Sequence, residues 1–289
     1  MYSILLFVKL EKTDKYFSTR KKAGVLMKRD GHIHTPFCPH GTQDSLDSYI
    51  EKAIKSGFTD ISFTEHAPLP SSFVDPTPEQ DSGMRLEEMP PYIDAIQQAK
   101  DAYKNDIRIR LGLEIDYIRG YEKETQAFLD EYGPVLDDSI LSVHFLESAG
   151  QFYCMDFSKE VFMELSRKMG SVEAVYSQYY DAVESSILAE LGAFKPKRIG
   201  HPTLVHKFQL AHGEQIDDSL RIKALFNRIK EAGMEIDMNG AGFSKPDCLE
   251  PYPPFPYIDY AKSLFIPLVF GSDAHSANGL HKHYEKFYT

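Results

Sequence analysis

The sequence predicts an α/β protein in which parallel strands close into a barrel. Strand-like and helix-like stretches alternate from residue 27 onward, which is the pattern of repeated βα units. The candidate chemical groups follow the strand-like stretches, and in a parallel barrel the loops after the strands meet at one mouth. The chain has 289 residues and is 42% hydrophobic, which is enough for one domain with a full core.

Seven strand-like stretches can be placed in order, at residues 30–34, 58–64, 107–113, 139–143, 198–200, 234–238 and 267–272. Apolar residues at helical spacing run from Leu46 to Ile54 before Gly57, and further helices are predicted after Pro90-Pro91, at about 172–192 and at about 219–232. Segments 67–90 and 145–171 lack clear periodicity and are expected to be long connections that shape the pocket. A doubly wound open sheet is the alternative, but it would concentrate its site at one switch point.

The composition limits the partners and the compartment. A formal charge of -11 argues against a nucleic-acid backbone as the main partner, although bound divalent cations would locally reverse the sign for an anionic substrate. Three widely separated cysteines form neither a disulfide framework nor a CxxC site, which fits a cytoplasmic protein. Cys38 lies between two candidate ligands and could be a thiolate, but a small half-buried cysteine is the commoner case.

The first 26 residues differ from the rest of the chain. The apolar stretch Ile4 to Val8 is too short to span a membrane and lacks the flanks of a signal peptide. Ala23-Gly24-Val25 can be encoded by a sequence that contains the ribosome-binding motif AGGAG, shortly before the Met27 codon. We therefore expect residues 1–26 to be an extension and 27–289 to be a single domain with its native start at Met27. An added N-terminal strand or arm is the alternative.

Nine residues whose side chains are of types that can bind metals are spread over almost the whole chain. Structural zinc sites usually draw their ligands from one compact segment, whereas a catalytic cluster gathers them from many loops of a scaffold. Imidazole and carboxylate ligands together suit Zn, Fe or Mn, and nine exceed the needs of one ion, so two or three divalent ions are expected. The candidates are His32, His34, His40, His66, Glu114, His144, His201, Asp273 and His275.

Two motifs place pairs of candidates on one side of a strand. Side chains alternate along a strand, so His32 and His34 point to the same side and can reach one ion. Asp273 and His275 repeat this spacing after an apolar stretch, where a charged aspartate needs a compensating cation. The alternatives are two partly exposed histidines for the first motif and a turn-capping aspartate for the second.

The other candidates gain weight from their joint placement. His66, His144 and His201 each end a strand-like stretch, and Glu114 has two oxygens with which to bridge two ions. Each histidine could instead be a hydrogen-bonded structural residue, Glu114 could form a salt bridge to an arginine, and His40 could lie in a simple turn. The remaining histidines lack this placement and are expected to be solvated or, at most, adjacent to substrate: His206, His212, His281 and His283.

Together these motifs resemble the polymerase-and-histidinol-phosphatase (PHP) family. The resemblance covers about residues 27 to 289, with the motifs in order: His32-x-His34, Thr64-Glu65-His66, Gly112-Leu113-Glu114, Ser142-Val143-His144, Gly200-His201-Pro202 and Gly271-Ser272-Asp273-Ala274-His275. Residues 31–41, 65–69 and 194–196 resemble the histidinol-phosphate phosphatase branch. The first 26 residues and the long 67–90 loop depart from the pattern, and the loop is expected to alter the lid of the pocket.

The resemblance implies a distorted (β/α)7 barrel, similar to a TIM barrel, with a trinuclear site. One ion is expected at His32, His34, Glu114 and Asp273, the second at Glu114, His144 and His201, and the third at His40, His66 and His275. Glu114 is the expected bridge.

The resemblance also implies a metal-dependent phosphomonoesterase that acts on L-histidinol phosphate in histidine biosynthesis. No side-chain nucleophile is needed, because ions that share a water lower its pKa and create hydroxide. Lys207 resembles the position of a cation on the phosphate, and Arg198 is a weaker candidate. A solvated surface charge is the alternative for both, and for Arg198 it is the favoured interpretation. The other functions considered are a nuclease or nucleotide phosphodiesterase, which the lack of a basic groove disfavours, and a non-catalytic metal-binding protein.

Overall fold

A computed structural model describes residues 27–288. Its strands are β1 (Lys28–Ile33), β2 (Phe58–His66), β3 (Arg108–Asp116), β4 (Asp138–Ser142), β5 (Phe145–Ser148), β6 (Gln151–Cys154), β7 (Arg198–Ile199), β8 (Glu235–Asn239) and β9 (Leu268–Gly271). Seven of them form one sheet in the order β1-β2-β3-β4-β7-β8-β9, and each neighbouring pair is parallel. The expected extension at residues 1–26 lies outside the described residues.

The first and last strands of this sheet also meet. Ile33 forms a parallel bridge with Ala274, and the Asp273 N–H donates to the His32 carbonyl at 2.8 Å. The sheet is therefore a nearly closed seven-stranded barrel, which confirms the predicted fold class. Closure brings the residues that follow β1 and β9 side by side, although they lie at opposite ends of the sequence.

Helices cover the outside of the barrel. They are α1 (Leu46–Lys55), α2 (Met89–Ala102), α3 (Glu122–Tyr132), α4 (Lys159–Met169), α5 (Val172–Leu188), α6 (Gln209–His212), α7 (Ser219–Glu231) and α8 (Phe255–Ser263). In α1, the Ser45 side chain accepts from the Ser48 N–H, while Tyr49, Ile50 and Ala53 form its buried face. None of the helices in residues 27–288 is both long enough and apolar enough to cross a membrane.

Segment 145–171 is more regular than the sequence predicted. β5 and β6 form an antiparallel hairpin, and its turn has left-handed residues at Ala149 and Gly150. Strands of this length are too short to show a clear alternation in the sequence. The turn is also hard to predict, because alanine rarely adopts the left-handed conformation that Ala149 has here. Helix α4 did have boundary signals, because the Ser158 side chain accepts from the Val161 N–H and Gly170 has a φ of 96° after its last turn.

Candidate metal centre

The predicted metal ligands converge at one mouth of the barrel. With the exception of His40, which lies in the loop between β1 and α1, each one lies at or near the carboxyl end of a barrel strand. His32 and His34 are fully buried beneath the mouth. The other seven line a cavity of about 590 Å³: His40, His66, Glu114, His144, His201, Asp273 and His275.

Glu114 lies at the centre of this cluster, and its side chain is 1% exposed. Its Oε1 atom is 2.9 Å from His201 Nε2 and 3.8 Å from His144 Nε2. Its Oε2 atom faces three other rings, at 3.2 Å from His66 Nδ1, 3.3 Å from His32 Nε2 and 3.5 Å from His34 Nε2. Because its two oxygens face separate sets of imidazoles, this carboxylate is suited to contact two ions.

Potential ligand atoms form three compact groups among the described residues. Two of these groups share Glu114. The first also contains His32 and His34, at the end of β1, and the second contains His144 and His201, which follow β4 and β7. Asp273 adjoins the first group, because its Oδ1 atom is 3.2 Å from His34 Nε2. Both groups therefore bring together residues that the family resemblance assigns to the same ion.

The third group contains His34, Cys38, His66 and His275, whereas the resemblance implied His40 beside the last two. The His40 ring is close, with its centroid 5.0 Å from that of His66 and 5.1 Å from that of His275. Cys38 is 2% exposed, and burial raises the pKa of its thiol, which opposes the thiolate form that binds metals. The chemistry therefore favours His40 over Cys38.

Three buried carboxylates, to which the sequence assigned no role, hold imidazole rings from behind. The pairs are Asp237 with His32 at 2.8 Å, Glu65 with His34 at 3.1 Å and Asp116 with His144 at 2.7 Å. Each contact is made at Nδ1, so Nε2 faces the centre of the site; such outer carboxylates orient metal ligands and fix their tautomer. Asp116 was detectable, because it lies two residues after Glu114 on the same side of β3.

These carboxylates place negative charge beside the imidazoles that they contact. Burial alone would lower the pKa of His144, but the charge and hydrogen bond of Asp116 raise it to about 10. Burial also lowers the pKa of His34, but Asp273 and Glu65 raise it to about 9. Surroundings that stabilise a protonated imidazole also favour a bound cation, which would take the place of the proton.

Unpaired atoms and backbone strain in the cluster also fit a metal site. Within the described residues, the Nδ1 atom of His201 is buried without a hydrogen-bond partner, and the Nδ1 atom of His66, although 3.2 Å from Glu114 Oε2, does not form a hydrogen bond with it. His201 and Asp273 have left-handed backbone conformations, with φ of 22° and 53°, and such strain concentrates at functional sites. Since imidazole and carboxylate ligands suit Zn, Fe and Mn, the residues present fit divalent metal ions.

Lys207 lines the same cavity, from a 3-10 helix, Leu204–Phe208, that follows β7. Its Nζ atom is 2.9 Å from Asp156 Oδ2. Burial raises the pKa of Asp156, but the charge and hydrogen bond of Lys207, together with the charges of His144 and His201, lower this pKa below its usual value. The pair therefore stays ionised and holds an ammonium group at the cavity wall.

Arg198, the second predicted phosphate ligand, lies at the opposite end of the barrel. Its side chain is 1% exposed and is not among the described residues that line the cavity. Its guanidinium donates to Asp138 Oδ2 at 2.9 Å and to the Gly31 carbonyl at 2.8 Å. The prediction of a phosphate contact is therefore wrong, and so is the alternative of a solvated charge, because Arg198 begins its strand and points into the barrel.

Two of the histidines that were expected to be solvated instead contact carboxylates. His206 lies between Asp218 Oδ2 at 2.7 Å and Glu250 Oε1 at 2.8 Å. The Nδ1 atom of His281 is 2.8 Å from Asp30 Oδ2, and its side chain is 6% exposed. The prediction was wrong for both, because their carboxylate partners are distant in sequence and only the fold brings them together.

Comparisons with known proteins agree with this geometry. A sequence model of the PHP domain family matches residues 30–241, and the chain belongs to this family. It is 50% identical over 264 residues to the histidinol-phosphatase of Bacillus subtilis (strain 168), covering 91% of this chain and 98% of that protein. It is 33% identical over 246 residues to a probable histidinol-phosphatase of Deinococcus radiodurans, covering 85% of each chain.

Solved structures show the same fold. A candidate histidinol phosphatase from Listeria monocytogenes has a TM-score of 0.87 and 40% identity, covering 90% of this chain and all of that one. The histidinol phosphate phosphatase from Lactococcus lactis, complexed with Zn, L-histidinol and phosphate, has a TM-score of 0.64 and 19% identity, covering 89% of this chain and 91% of that one. The second likeness supports the fold alone.

Proposed function

We propose that this protein is a metal-dependent phosphomonoesterase that hydrolyses L-histidinol phosphate to L-histidinol and phosphate, a reaction of histidine biosynthesis. The observation that carries this proposal is 50% identity to the Bacillus subtilis histidinol-phosphatase, over 98% of that protein. The site supports it independently, because buried metal-binding side chains and a lysine line one cavity. The volume of about 590 Å³ is in the range of small-molecule sites.

The same proposal includes two or three divalent ions, Zn, Fe or Mn, in the cavity. The proposed sets are His32, His34, Glu114 and Asp273 for the first ion, Glu114, His144 and His201 for the second, and His40, His66 and His275 for the third. When bound, such ions lower the pKa of a water molecule and neutralise charge on phosphoryl oxygens. The opposed oxygens of Glu114, at 2.9 Å from His201 and 3.3 Å from His32, support its place in two sets.

The chain's own side chains position the reacting groups. Lys207 donates to a phosphate oxygen, and Asp156 holds its ammonium in place through the contact of 2.9 Å. Asp116, Asp237 and Glu65 fix the imidazole rings, so the site is organised before the substrate arrives. This pre-organisation favours a phosphate group over an uncharged one, because the cations of the site are already aimed at the cavity.

Phosphate release from a substrate panel tests this function. The panel contains histidinol phosphate, nucleoside monophosphates, a phosphodiester and single-stranded DNA, each assayed with the metal-loaded protein. We expect the highest kcat/KM for histidinol phosphate. Faster turnover of the diester or of DNA than of every monoester would show that the protein belongs to another phosphoesterase class.

A further inference from the structure

Lys245 lies at the same cavity as Lys207 but comes from another part of the barrel. It follows the 3-10 helix Ala241–Ser244, which lies after β8. The Lys245 N–H donates to the Gly242 carbonyl at 3.1 Å, and its own carbonyl accepts from the Cys248 N–H at 3.1 Å. These bonds fix the backbone where the Lys245 side chain lines the cavity.

The ammonium group of Lys245 lies within the electrostatic field of the site. Burial and then the positive charge of Lys207 lower the pKa of Lys245, while the charges of Asp273 and Asp156 oppose this effect. Lys245, Lys207 and the predicted ligand Asp273 all line this cavity. Two like charges with a shared cavity between them are stabilised when an anion binds.

The two lysines differ in whether a carboxylate neutralises the charge of the ammonium group. Lys207 is bonded to Asp156 at 2.9 Å, so much of its charge is already offset. Lys245 forms no salt bridge with any of residues 27–288. Lys282 also lines the cavity and, among the described residues, likewise has no salt bridge, but its charge lowers the pKa of Lys52, whereas the pKa of Lys245 is lowered by the charge of Lys207. Among the described residues, Lys245 is therefore a cation of the cavity wall that no carboxylate neutralises and that shares the cavity with Lys207.

We propose that Lys245 is a second phosphate-binding residue of this site, on the segment after β8, the strand next to the one that precedes Lys207. The inference rests on the proposed function and extends it. A phosphate monoester carries about 1.5 to 2 negative charges at neutral pH, more than one lysine already paired with an aspartate can match. Lys245 supplies the additional charge and holds the phosphate from the β8 side of the mouth.

Binding of inorganic phosphate to the metal-loaded protein tests this role directly. We expect Lys245→Ala and Lys245→Met to weaken phosphate binding at least about tenfold by calorimetry, as the loss of a charge-assisted hydrogen bond predicts. Lys245→Met keeps most of the apolar stem and so separates loss of charge from loss of packing. Lys245→Arg should stay within roughly threefold of wild type, because it keeps the charge. The matched control is Lys262→Ala, which removes one positive charge from the exposed surface of α8.

Metal content and steady-state kinetics complete the test. Bound metal should be unchanged in all variants, while KM for histidinol phosphate should rise in step with the loss of phosphate binding. Unaltered phosphate affinity and KM in Lys245→Ala and Lys245→Met would overturn the inference while leaving the proposed function intact. Weakened phosphate binding in a protein that does not hydrolyse histidinol phosphate would support the phosphate site and reject the proposed substrate.

Discussion

Both ends of the barrel bury ionisable side chains, but the negative charge of their carboxylates is neutralised by different groups. At the amino end, Asp138 Oδ2 lies 2.6 Å from Arg29 and 2.9 Å from Arg198. Arg110 and Asp60 form a second pair at 2.8 Å. Arginine keeps its charge at any ordinary pH, so this end is neutralised by the chain itself.

The carboxyl end has buried carboxylates and imidazoles instead. Glu114 and Asp273 both approach the Nε2 atom of His32, at 3.3 and 3.6 Å, but an imidazole carries a charge only when it is protonated. Protons or metal ions must therefore supply the positive charge that arginine supplies at the other end. A buried charge cluster thus indicates a ligand site when the chain does not supply its own compensation.

The largest effect is expected at the carboxyl end from Glu114→Gln. The substitution keeps the size of the side chain and removes the charge that faces two sets of histidines. Bound metal and turnover should fall together, with kcat/KM reduced by more than about 100-fold, since the loss of an outer partner alone costs about 10- to 100-fold. Metal analysis of the purified variant beside its kinetics checks this, and full metal content would rule out the bridging role.

At the amino end, Asp138→Asn should affect stability rather than metal binding. Arg198 would remain buried without a charged partner, which costs about 3 kcal/mol of the free energy of unfolding. Urea unfolding of both proteins measures the loss. Metal bound per folded molecule should not change, and a variant that lost metal while keeping its stability would contradict the division between the two ends.

The pH dependence of unfolding extends this second prediction. Burial raises the pKa of Asp138, but Arg198 and Arg29 outweigh burial and hold it below 3.8. A carboxyl whose pKa is lowered on folding stabilises the protein fully above its unfolded pKa and loses this effect as the pH falls through its folded pKa. Wild type should therefore lose its advantage over Asp138→Asn below about pH 4; a constant difference would show that the ion pairs are not its source.

A smaller effect is expected from Asp116→Asn, behind the metal ligands. Asparagine keeps a hydrogen-bond acceptor near His144 but removes the charge that orients and polarises the ring. Metal affinity should fall by about 10- to 100-fold, whereas the fold should be retained. Competition with a chelator of known affinity measures the change, and an unchanged affinity would show that Asp116 has only a packing role.

The sequence predicted the parts of the site that depend on local pattern. His32 and His34 are two residues apart at the end of a strand, and Asp273 and His275 repeat this spacing, so the period of the strand was enough to pair them. The barrel could be inferred because apolar strands and helices alternate along the chain. Both inferences need only the geometry of single elements and the meeting of strand ends at one mouth.

The parts that the sequence did not predict depend on contacts between distant segments. Arg198 was assigned to the wrong end although it is the first residue of its predicted strand; its partner Asp138 could not be predicted, because it lies 60 residues away and no local pattern joins them. Asp237 resembles an ordinary residue of a buried strand until the fold places it against His32, and Lys245 resembles a loop charge until β8 brings it to the cavity. Partners of this kind follow from closure of the barrel rather than from periodicity.

The smallest effect is expected from Lys207→Ala, which removes a substrate contact but no metal ligand. Metal content should stay at the wild-type level, while KM for histidinol phosphate rises about tenfold, as for the loss of one hydrogen bond to a charged group. kcat should fall as well if the contact strengthens in the transition state. Because this variant also leaves Asp156 unpaired beside the phosphate, the double variant Lys207→Ala/Asp156→Asn is the matched control. A KM that returns fully to the wild-type value in the double variant would assign the effect to repulsion by Asp156 and remove Lys207 from the phosphate site.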